Sequence, residues 1–509
     1  REPRPGRDRH RLCTLRQGTG LQFLEGRRAP FLRGPDGEPW TLETFTAGAR
    51  TTAAWSVVNF GALWANLDFA GEHYHPRKLF FLSHLKSLAS DRIANHFQNI
   101  RDIFDPSSET LPGRVRVYDV TDALGNFLKE GRQPTSIEDV GSAKKIARPG
   151  DVIVSRLRSY LREIAIVPEL DHTPLISTEF IVLRKKGQGD AHFLLPYLLS
   201  EPVQTILQWS QDGSNHPRFA DSVVLNLHLP DPILEQPEDL NQIIKTAIRY
   251  YNRSKALYAE AEALLLAELG LDDLDLSHQP TYTRNFGQAW AAGRLDAEYF
   301  QPRYDALLAR LRGTGQAVRL GDWLTEPIRR GVQPEYDESG NVIVINSQHV
   351  GKTHVELEDN RRTTQEFTER NERAVVRRYD VLLNSTGYIT IGRCQTFLAD
   401  VTAIVDSHVS IIRPKSGLDP VYLGLFLNSL PGQMQTERGW TGSSGQIELR
   451  SEVIENYTVW KPAMAFQRRI RELVEGAHVA REEAHRLLEE AKRRVEEMVL
   501  GEQERGSEP

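Results

Sequence analysis

Apolar residues recur along two long stretches of the chain in steps of three and four. Between residues 464 and 499 the apolar positions are Phe466, Ile470, Leu473, Ala477, Ala480, Ala484, Leu487, Ala491, Val495 and Met498. A second stretch, which ends before Gly270, has Leu240, Ile244, Ala247, Tyr251, Ser254, Tyr258, Ala261 and Leu265 in the same spacing. This spacing is typical of helices that pair as a coiled coil. The pattern therefore predicts two long helices.

The residues around these stretches occur twice in the chain, at an offset that stays between 226 and 229. Matching pairs are Asn59-Phe60-Gly61 with Asn285-Phe286-Gly287, Leu67-Asp68 with Leu295-Asp296, Asp151-Val152 with Asp380-Val381, Arg184 with Arg413, and Gly213-Ser214 with Gly442-Ser443. A register held over so much of the chain indicates a tandem duplication. Each copy ends in one of the long helices.

Short strands and helices alternate irregularly within each copy. Residues 114–120 alternate apolar and polar positions as a strand does, and residues 152–154 predict a short buried strand after the Pro149-Gly150 turn. We expect residues 79–104 to be mostly helical, residues 223–229 to be a strand, and residues 439–445 to be a flexible polar loop. This mixture favours an α+β fold over a doubly wound parallel sheet.

The pattern also gives domain boundaries. We expect an N-terminal extension over residues 1–54 that is poorly ordered at its Arg-rich start. The remaining parts are a first α+β domain at 55–234, the first long helix at 235–270, a linker and second α+β domain at 271–462, the second long helix at 463–500, and a tail at 501–509. The expected fold is two duplicated α+β domains joined by two long antiparallel coiled-coil helices.

Bulk properties narrow the class of protein. A chain of 509 residues is too long for one hydrophobic core. The formal net charge of −6 argues against a uniformly basic nucleic-acid binder, although local basic faces are compatible with it. Cys13 and Cys394 cannot form a disulfide framework. Neither a membrane-spanning apolar run nor a signal-peptide core is visible, so we expect a cytoplasmic protein without a membrane partner.

The motifs of common enzymes are missing from the sequence. No phosphate-binding loop, no Gly-x-Gly-x-x-Gly fingerprint and no His-Glu-x-x-His zinc helix occurs. The Asn-Pro-Pro-aromatic and Asp-Pro-Pro-aromatic tetrapeptides of amino-methyltransferases are also missing. We therefore expect no catalytic residues, no cofactor and no metal site.

Polar and basic residues cluster at corresponding places in the two copies. In the first copy they are Lys144, Lys145, Arg156, Arg158 and Arg162 around a strand and its turn, and Ser214, Asn215 and Arg218 at a polar tip. In the second copy they are Arg329, Arg330, Arg361, Arg362, Asn384, Ser385 and Tyr388, with Ser443, Ser444 and Gln446 at the matching tip. Such side chains reach base edges and phosphates. Ordinary exposed polar loops are the simpler interpretation of any single residue.

The sequence resembles the specificity (S) subunit of type I restriction–modification systems over residues 55–500. The resemblance is carried by the stretch Arg294-Leu295-Asp296-Ala297-Glu298-Tyr299-Phe300-Gln301-Pro302-Arg303-Tyr304, by Gly150-Asp151-Val152 and Tyr379-Asp380-Val381, and by the Gly-Ser tip. It implies two target recognition domains that read a bipartite site in double-stranded DNA, with antiparallel helices as a spacer. It also implies two DNA methyltransferase subunits and restriction/translocase subunits as partners.

Two other interpretations stay open at this stage. The chain could be a coiled-coil scaffold, or a divergent or orphan S-like subunit of another defence system, whose domains bind protein. It could also be an enzyme with an unrecognised site. Sequence-specific, salt-dependent DNA binding with partner subunits present would favour the first hypothesis, and turnover without a partner would favour an enzyme.

Overall fold

The computed structural model describes residues 71–358, 360–443 and 446–501, together with three short strands nearer the N-terminus. Those strands form one sheet in the order Leu12–Thr14, Gly20–Phe23 and Trp55–Val58. The remaining residues of the predicted extension, at 1–54, and the tail after residue 501 lie outside the described residues. The chain divides into two compact units, residues 1–249 with 483–509 and residues 250–482, here called the first and second unit.

Two four-stranded sheets form the first unit. One is antiparallel throughout, in the order Ile164–Ile166, Val152–Ser155, Phe180–Lys185 and Phe97–Ile100. The other has the order Ile103–Phe104, Lys144–Ile146, Thr173–Ser177 and Val115–Tyr118, and its last two strands are parallel. Asp91–Arg92 also pairs with His228–Leu229.

The helices of this unit are Pro76–Ser87, Ile93–His96, Leu194–Leu199, Glu201–Gln208, Asp221–Leu225 and Asp231–Glu235, with 3-10 turns at Gly71–Tyr74, Val120–Ala123, Glu138–Val140 and Ser159–Leu161.

The second unit contains the same pair of sheets. Its antiparallel sheet has the order Arg329–Arg330, Val409–Ile412, Val381–Asn384 and Cys394–Thr396. Its mixed sheet has the order Arg362–Thr363, Val342–Ile345, Ala403–Val405 and Val375–Val376, and again one pair, the central one, is parallel. Two further sheets pair Ala317–Arg319 with Thr458–Trp460 and Thr441–Ser443 with Gln446–Glu448. The helices are Phe286–Ala292, Pro302–Gly313, Gln365–Arg370, Pro420–Asn428, Leu430–Gly439 and Ser451–Glu455, with 3-10 turns at Glu298–Phe300, Leu320–Trp323 and Glu372–Ala374.

A buried ion pair is present at the same place in both units. Arg184 donates through two nitrogens to the Asp151 carboxylate at 2.8 and 2.7 Å, and Arg413 does the same to Asp380 at 2.7 and 2.8 Å. The two pairs are offset by 229 residues in the chain. Forked guanidinium–carboxylate contacts of this kind are strong because both ions are held by parallel hydrogen bonds. The duplication read from the sequence is thus visible in the packing as well as in the order of the strands.

Two long helices span Pro237–Glu268 and Met464–Leu500. The boundary between the units falls within both helices, after Arg249 and after Glu482. In the second unit, Leu257 lies beside Gly476 and Tyr251 lies beneath the Arg481 guanidinium. The residue numbers of the contacts fall from 257 to 251 along the first helix while they rise from 476 to 481 along the second. The two helices are therefore antiparallel in the second unit.

The buried positions of the long helices follow the predicted seams closely. In the first helix all predicted positions are buried except Ser254, which is half-buried. In the second helix the buried residues are Gln467, Ile470, Val474, Ala477, Ala480, Ala484, Leu487, Leu488, Ala491, Val495 and Val499. Val474 and Val499 thus take the buried places expected for Leu473 and Met498, because a straight helix drifts relative to a strict heptad.

Three element predictions are wrong. Residues 79–104 form a helix as far as Ser87 and then continue as the strand Asp91–Arg92, the single-turn helix Ile93–His96, and the strands Phe97–Ile100 and Ile103–Phe104. Residues 223–229 begin with the end of the short helix Asp221–Leu225, continue through a turn at 226–227, and form a strand only at His228–Leu229. Of residues 439–445, Gly439 ends a helix and Thr441–Ser443 is a strand rather than part of a loop, while residues 444 and 445 lie outside the described residues.

The prediction of a mixed α+β fold with two long helices is confirmed. Among the residues that the structure describes, every helix is too short or too polar to cross a lipid bilayer. Within the same residues no cluster of three or more His, Cys, Asp or Glu side chains is arranged to hold a metal ion.

Candidate nucleic-acid interface

A loop and a tip meet at the end of the antiparallel sheet in each unit. In the first unit the loop is residues 156–163, which follows the strand Val152–Ser155, and the tip is residues 211–218. In the second unit the loop is residues 385–393, which follows the strand Val381–Asn384, and the tip is the hairpin at 441–448. We call these the first and second loop–tip surfaces.

The two surfaces share one backbone frame. In the first, the N–H groups of Arg156, Arg158 and Phe219 donate to the carbonyl oxygens of Glu179, Pro217 and Arg156. In the second, the N–H groups of Ser385, Gly387 and Leu449 donate to the carbonyl oxygens of His408, Ile447 and Ser385. These are the same three bonds, shifted by 229 or 230 residues. The second loop is one residue longer, because Ile164 pairs with Val154 whereas Cys394 pairs with Leu383.

Several predicted site residues come together on the first surface. Arg156, Arg158 and Arg162 lie on the loop, and Ser214, Asn215 and Arg218 lie on the tip, where all three are exposed. The loop and tip are fastened by Gln211, whose side-chain oxygen accepts from the Ser159 N–H at 3.2 Å and whose nitrogen donates to the Ser159 hydroxyl at 2.6 Å. Tyr160 protrudes from the loop with 63% of its surface exposed.

Glu179 neutralises two of these arginines. The Arg218 guanidinium donates to both Glu179 oxygens at 2.8 to 3.2 Å, and Arg156 lies 3.4 Å from the same carboxylate and 3.5 Å from Asp221. The hydrogen bond from Arg218 holds the pKa of the Glu179 carboxyl below its usual value. Arg158 and Arg162 have no carboxylate within ion-pair distance in the described part of the chain.

Lys144 and Lys145, also predicted as site residues, are buried inside the first unit. The Lys144 amino group donates to the Ser142 hydroxyl and carbonyl, and the Lys145 amino group donates to the Phe180 carbonyl at 2.6 Å. Burial lowers the pKa of Lys145. Their cations are held by the fold, so we leave both out of the interface proposed below.

The second surface has a single charged residue on its loop, Arg393, which is half-buried, and it carries exposed apolar side chains. Tyr388 and Ile389 are 70% and 81% exposed. Ser443 and Gln446 lie on the paired strands of the tip, but their side chains and all of Ser444 are outside the described residues. Arg330 reaches this tip, where its guanidinium donates to the Glu448 carboxylate and to the Leu449 carbonyl, each at 2.6 Å.

The other predicted residues of the second unit have different surroundings. Asn384 and Ser385 are fully buried, and they hydrogen-bond to the Ser347 carbonyl and the Ser410 hydroxyl respectively. Arg329 is exposed and lies 3.7 Å from Glu326. Arg361 and Arg362 lie on or beside an edge strand of the mixed sheet, where the Arg361 guanidinium stacks 3.4 Å from the centre of the Tyr336 ring. Ser385 and Asn384 therefore support the loop from below, and we keep them as supporting residues only.

The sequence did not single out Tyr160, Gln211, Glu179 or Ile389. Ile389 lies 229 residues after Tyr160, so the internal repeat would have paired these two exposed side chains. The role of Gln211 and Glu179 depends on contacts between distant parts of the chain, for which the sequence gave no signal.

Replacing Glu179 with Gln is expected to strengthen non-specific DNA binding by the first unit. Arg218 would lose its carboxylate partner, whereas Arg156 would keep Asp221. A phosphate contact that Arg218 gains steepens log Kobs against log salt by ~0.9, so we expect a slope steeper by about that much in titrations of an unrelated duplex at several salt concentrations. Glu169→Gln, at the other end of the strand Ile164–Ile166, changes the charge equally and is expected to leave the slope unchanged. An unaltered slope in a folded Glu179→Gln protein would contradict this account of the surface.

No protein-family model matches the chain. No curated protein matches it either. Solved structures that are similar to it include the following three. A structure of type I restriction–modification complex assembly shows 18% identity with a TM-score of 0.28, covering 80% of this chain and 95% of that one. The HsdS subunit of Thermoanaerobacter tengcongensis shows 17% identity with a TM-score of 0.29, covering 81% and 96%.

The third solved structure is the type I restriction–modification S subunit of M. genitalium, with 11% identity, a TM-score of 0.36, and coverage of 81% of this chain and 94% of that one. These proteins include specificity subunits, the family that the sequence resembles. No functional conclusion follows from likenesses with such TM-scores, so the proposals below rest on the geometry of this chain.

Proposed function

We propose that this chain is a non-catalytic specificity subunit that reads a bipartite sequence in double-stranded DNA. Each unit would act as one target recognition domain, over residues 55–234 and 271–462, and would contact one half-site through its loop–tip surface. The long helices at 235–270 and 463–500 would connect the two readers. The proposed partners are two DNA methyltransferase subunits and the restriction/translocase subunits that act on the same DNA.

The observation that carries this proposal is the loop–tip surface that is built twice on one backbone frame. Sheets hold the frame rigidly, while the exposed side chains differ from one copy to the other. Rigid scaffolds with variable loops are typical of recognition sites. Exposed arginines, hydroxyls, amides and aromatic rings are the groups that contact phosphates and base edges. Each of the two surfaces therefore exposes the kinds of side chain that contact phosphates and base edges in DNA.

A second candidate function is a scaffold that binds only protein, and one feature favours it. The helix Phe286–Ala292 buries none of its residues, and it exposes 69% of Phe286 and 79% of Trp290. Exposed aromatic clusters mark protein interaction sites. The same residues recur in the sequence at Phe60 and Trp64, so such a partner would be expected twice. This feature fits a partner-binding specificity subunit equally well, and DNA binding separates the two candidates.

The proposal is tested by co-expressing the chain with a methyltransferase subunit from its genomic neighbourhood and mapping modified bases in the host DNA. We expect methylation at one defined bipartite sequence, and only when this chain is present. Methylation that is independent of the chain would contradict the proposal and favour the scaffold. Variants that lack the Phe286 and Trp290 rings would show whether this helix recruits the methyltransferase.

A further inference from the structure

The first and second loop–tip surfaces carry different side chains at positions where their backbones have the same conformation and make the same hydrogen bond. Residue 158 and residue 387 both have a positive φ and donate their N–H to the tip, but the first is Arg158 and the second is Gly387. A left-handed arginine is uncommon, whereas glycine adopts this conformation without strain. The first unit therefore retains a long cationic side chain at a backbone position that would tolerate glycine more easily.

The first surface presents guanidinium groups that the fold leaves without a carboxylate partner. Arg158 and Arg162 bracket the turn Ser159–Leu161, and both have a left-handed backbone. Arg162 is exposed, whereas Arg158 is half-buried and its Nε is buried. The nearest acid along the loop is Glu163, which is buried; its burial raises the pKa of its carboxyl, and the nearby charge of Arg158 opposes that rise. Guanidinium groups donate two parallel hydrogen bonds to O6 and N7 of guanine, the commonest specific contact in the major groove.

The second surface lacks a comparable cation. Its loop contains one arginine, Arg393, which is half-buried at the base of the loop and whose pKa is lowered by burial. Arg330 is nearby, but it is held by Glu448. The exposed groups at the turn are the Tyr388 ring and the Ile389 side chain. Apolar side chains discriminate bases mainly by contact with the C5 methyl group of thymine.

From this difference we propose that the two half-sites differ in composition. The first unit reads guanine through Arg158 or Arg162, and the second unit reads thymine methyl groups through Tyr388 and Ile389. This inference rests on the proposed function, because it assigns base preferences to the two surfaces of a DNA reader. It goes beyond that function by stating which half-site contains the essential G·C pair.

The proposal is tested first by changing the base that the first unit reads. The full chain with its methyltransferase partner selects DNA from a randomised duplex library, in parallel with Arg158→Gln and Arg162→Gln. Glutamine pairs with N6 and N7 of adenine as arginine pairs with guanine. We expect one of the two variants to move one position of one half-site from G to A, by about ten- to a hundredfold in relative affinity. Arg114→Gln, an exposed arginine already paired with Asp171, is the matched control and should leave the selected sequence unchanged.

The second test removes single atoms from the DNA. The sequence selected by the unaltered complex is resynthesised with 7-deazaguanine, which lacks N7, or with uracil, which lacks the thymine methyl group. We expect 7-deazaguanine to weaken binding only in the half-site that Arg158→Gln or Arg162→Gln alters. We expect uracil to weaken binding in the other half-site, and Tyr388→Ala with Ile389→Ala to abolish that sensitivity.

These experiments can refute the proposed base preferences without refuting the proposed reading of a bipartite DNA sequence. Arginine variants that bind all sequences more weakly without a change of base would show phosphate contacts and overturn the inference. A half-site that is insensitive to uracil would overturn its second part. In both cases a selected bipartite sequence would leave the proposed function standing. If no sequence is enriched by the unaltered complex, both fall together.

Discussion

Replacing Arg413 with Met is expected to destabilise the second unit by about 3–5 kcal/mol. The Arg413 guanidinium donates to the Asp380 carboxylate, to Glu326 at 2.6 Å and to the Val375 carbonyl at 2.9 Å. Asp380 is only 3% exposed, so the substitution leaves a buried carboxylate without its cation. Urea unfolding of the full chain would measure this change as an earlier transition of the second unit.

Lys415→Met is the matched control for this prediction. Lys415 is exposed two residues further on, and loss of a surface cation typically changes stability by less than about 0.5 kcal/mol. If Arg413→Met lowered the free energy of unfolding by less than about 1 kcal/mol, the Arg413–Asp380 ion pair would not be important for the stability of the second unit. Arg184→Met is expected to have the corresponding effect on the first unit, since Arg184 makes the same forked contact with Asp151.

The cost of Arg413→Met should depend on pH. The hydrogen bond from Arg413 lowers the pKa of Glu326, so this carboxylate stabilises the folded state above its unfolded pKa of about 4.5. That contribution is lost as pH falls through the lowered folded pKa. In the variant the part of this contribution that comes from Arg413 is missing at every pH, while Arg329 and Arg377 still act on Glu326. The difference in stability between the two proteins is therefore expected to be largest near pH 7 and to narrow below pH 4.5.

Adding one heptad to each long helix is expected to change the spacing of the two half-sites. Seven residues inserted after Arg249 and after Glu482 preserve the apolar seam and lengthen each helix by about 10 Å. That length corresponds to roughly three base pairs. Three base pairs turn the second half-site by about 100°, whereas the inserted heptad turns the protein by only about 20°. The protein should then prefer a longer spacer, or bind more weakly because the surfaces no longer align with the DNA.

The spacer preference is measured by selection from duplexes with spacers of graded length, with the methyltransferase present. The same heptad added after Leu500, beyond the seam, is the control and should leave the preference unchanged. An unchanged spacer at full affinity in the doubly lengthened protein would show that the long helices do not set the spacing of the half-sites.

Periodic patterns predicted the parts of the fold that depend on local sequence. The heptad seams gave both long helices nearly to their ends, because burial of one helix face requires the same spacing throughout. The repeat register gave Asp151 with Asp380 and Arg184 with Arg413, the residues that form the shared ion pair. By contrast, the pattern predicts a helix over residues 88–104, although they form three short strands and only one helical turn, Ile93–His96. Such strands are held by partners far away in the chain, as when Phe97–Ile100 pairs with Phe180–Lys185.

The candidate surfaces were predictable in position but not in their contacts. The tips were located by the repeated Gly-Ser, and both glycines, Gly213 and Gly442, have a positive φ. Arg156-Leu157-Arg158 and Ser385-Thr386-Gly387 make equivalent backbone hydrogen bonds with unlike side chains, so the sequence gives no signal that the two segments correspond. Lys144 and Lys145 were predicted as interface residues from their place around a strand and its turn, but both are buried. Their burial depends on the carbonyl groups that receive their amino groups, which a single sequence does not reveal.

Selection of DNA from a random library by the chain together with its methyltransferase subunit tests the central claim most directly. We predict two short enriched blocks, separated by an unread spacer of one length, with guanine required in one block and thymine in the other. The block that contains the required guanine should be the one that changes in the Arg158→Gln or Arg162→Gln protein. A single uninterrupted motif, or no enrichment over the starting library, would contradict the claim that this chain reads DNA with two separate surfaces.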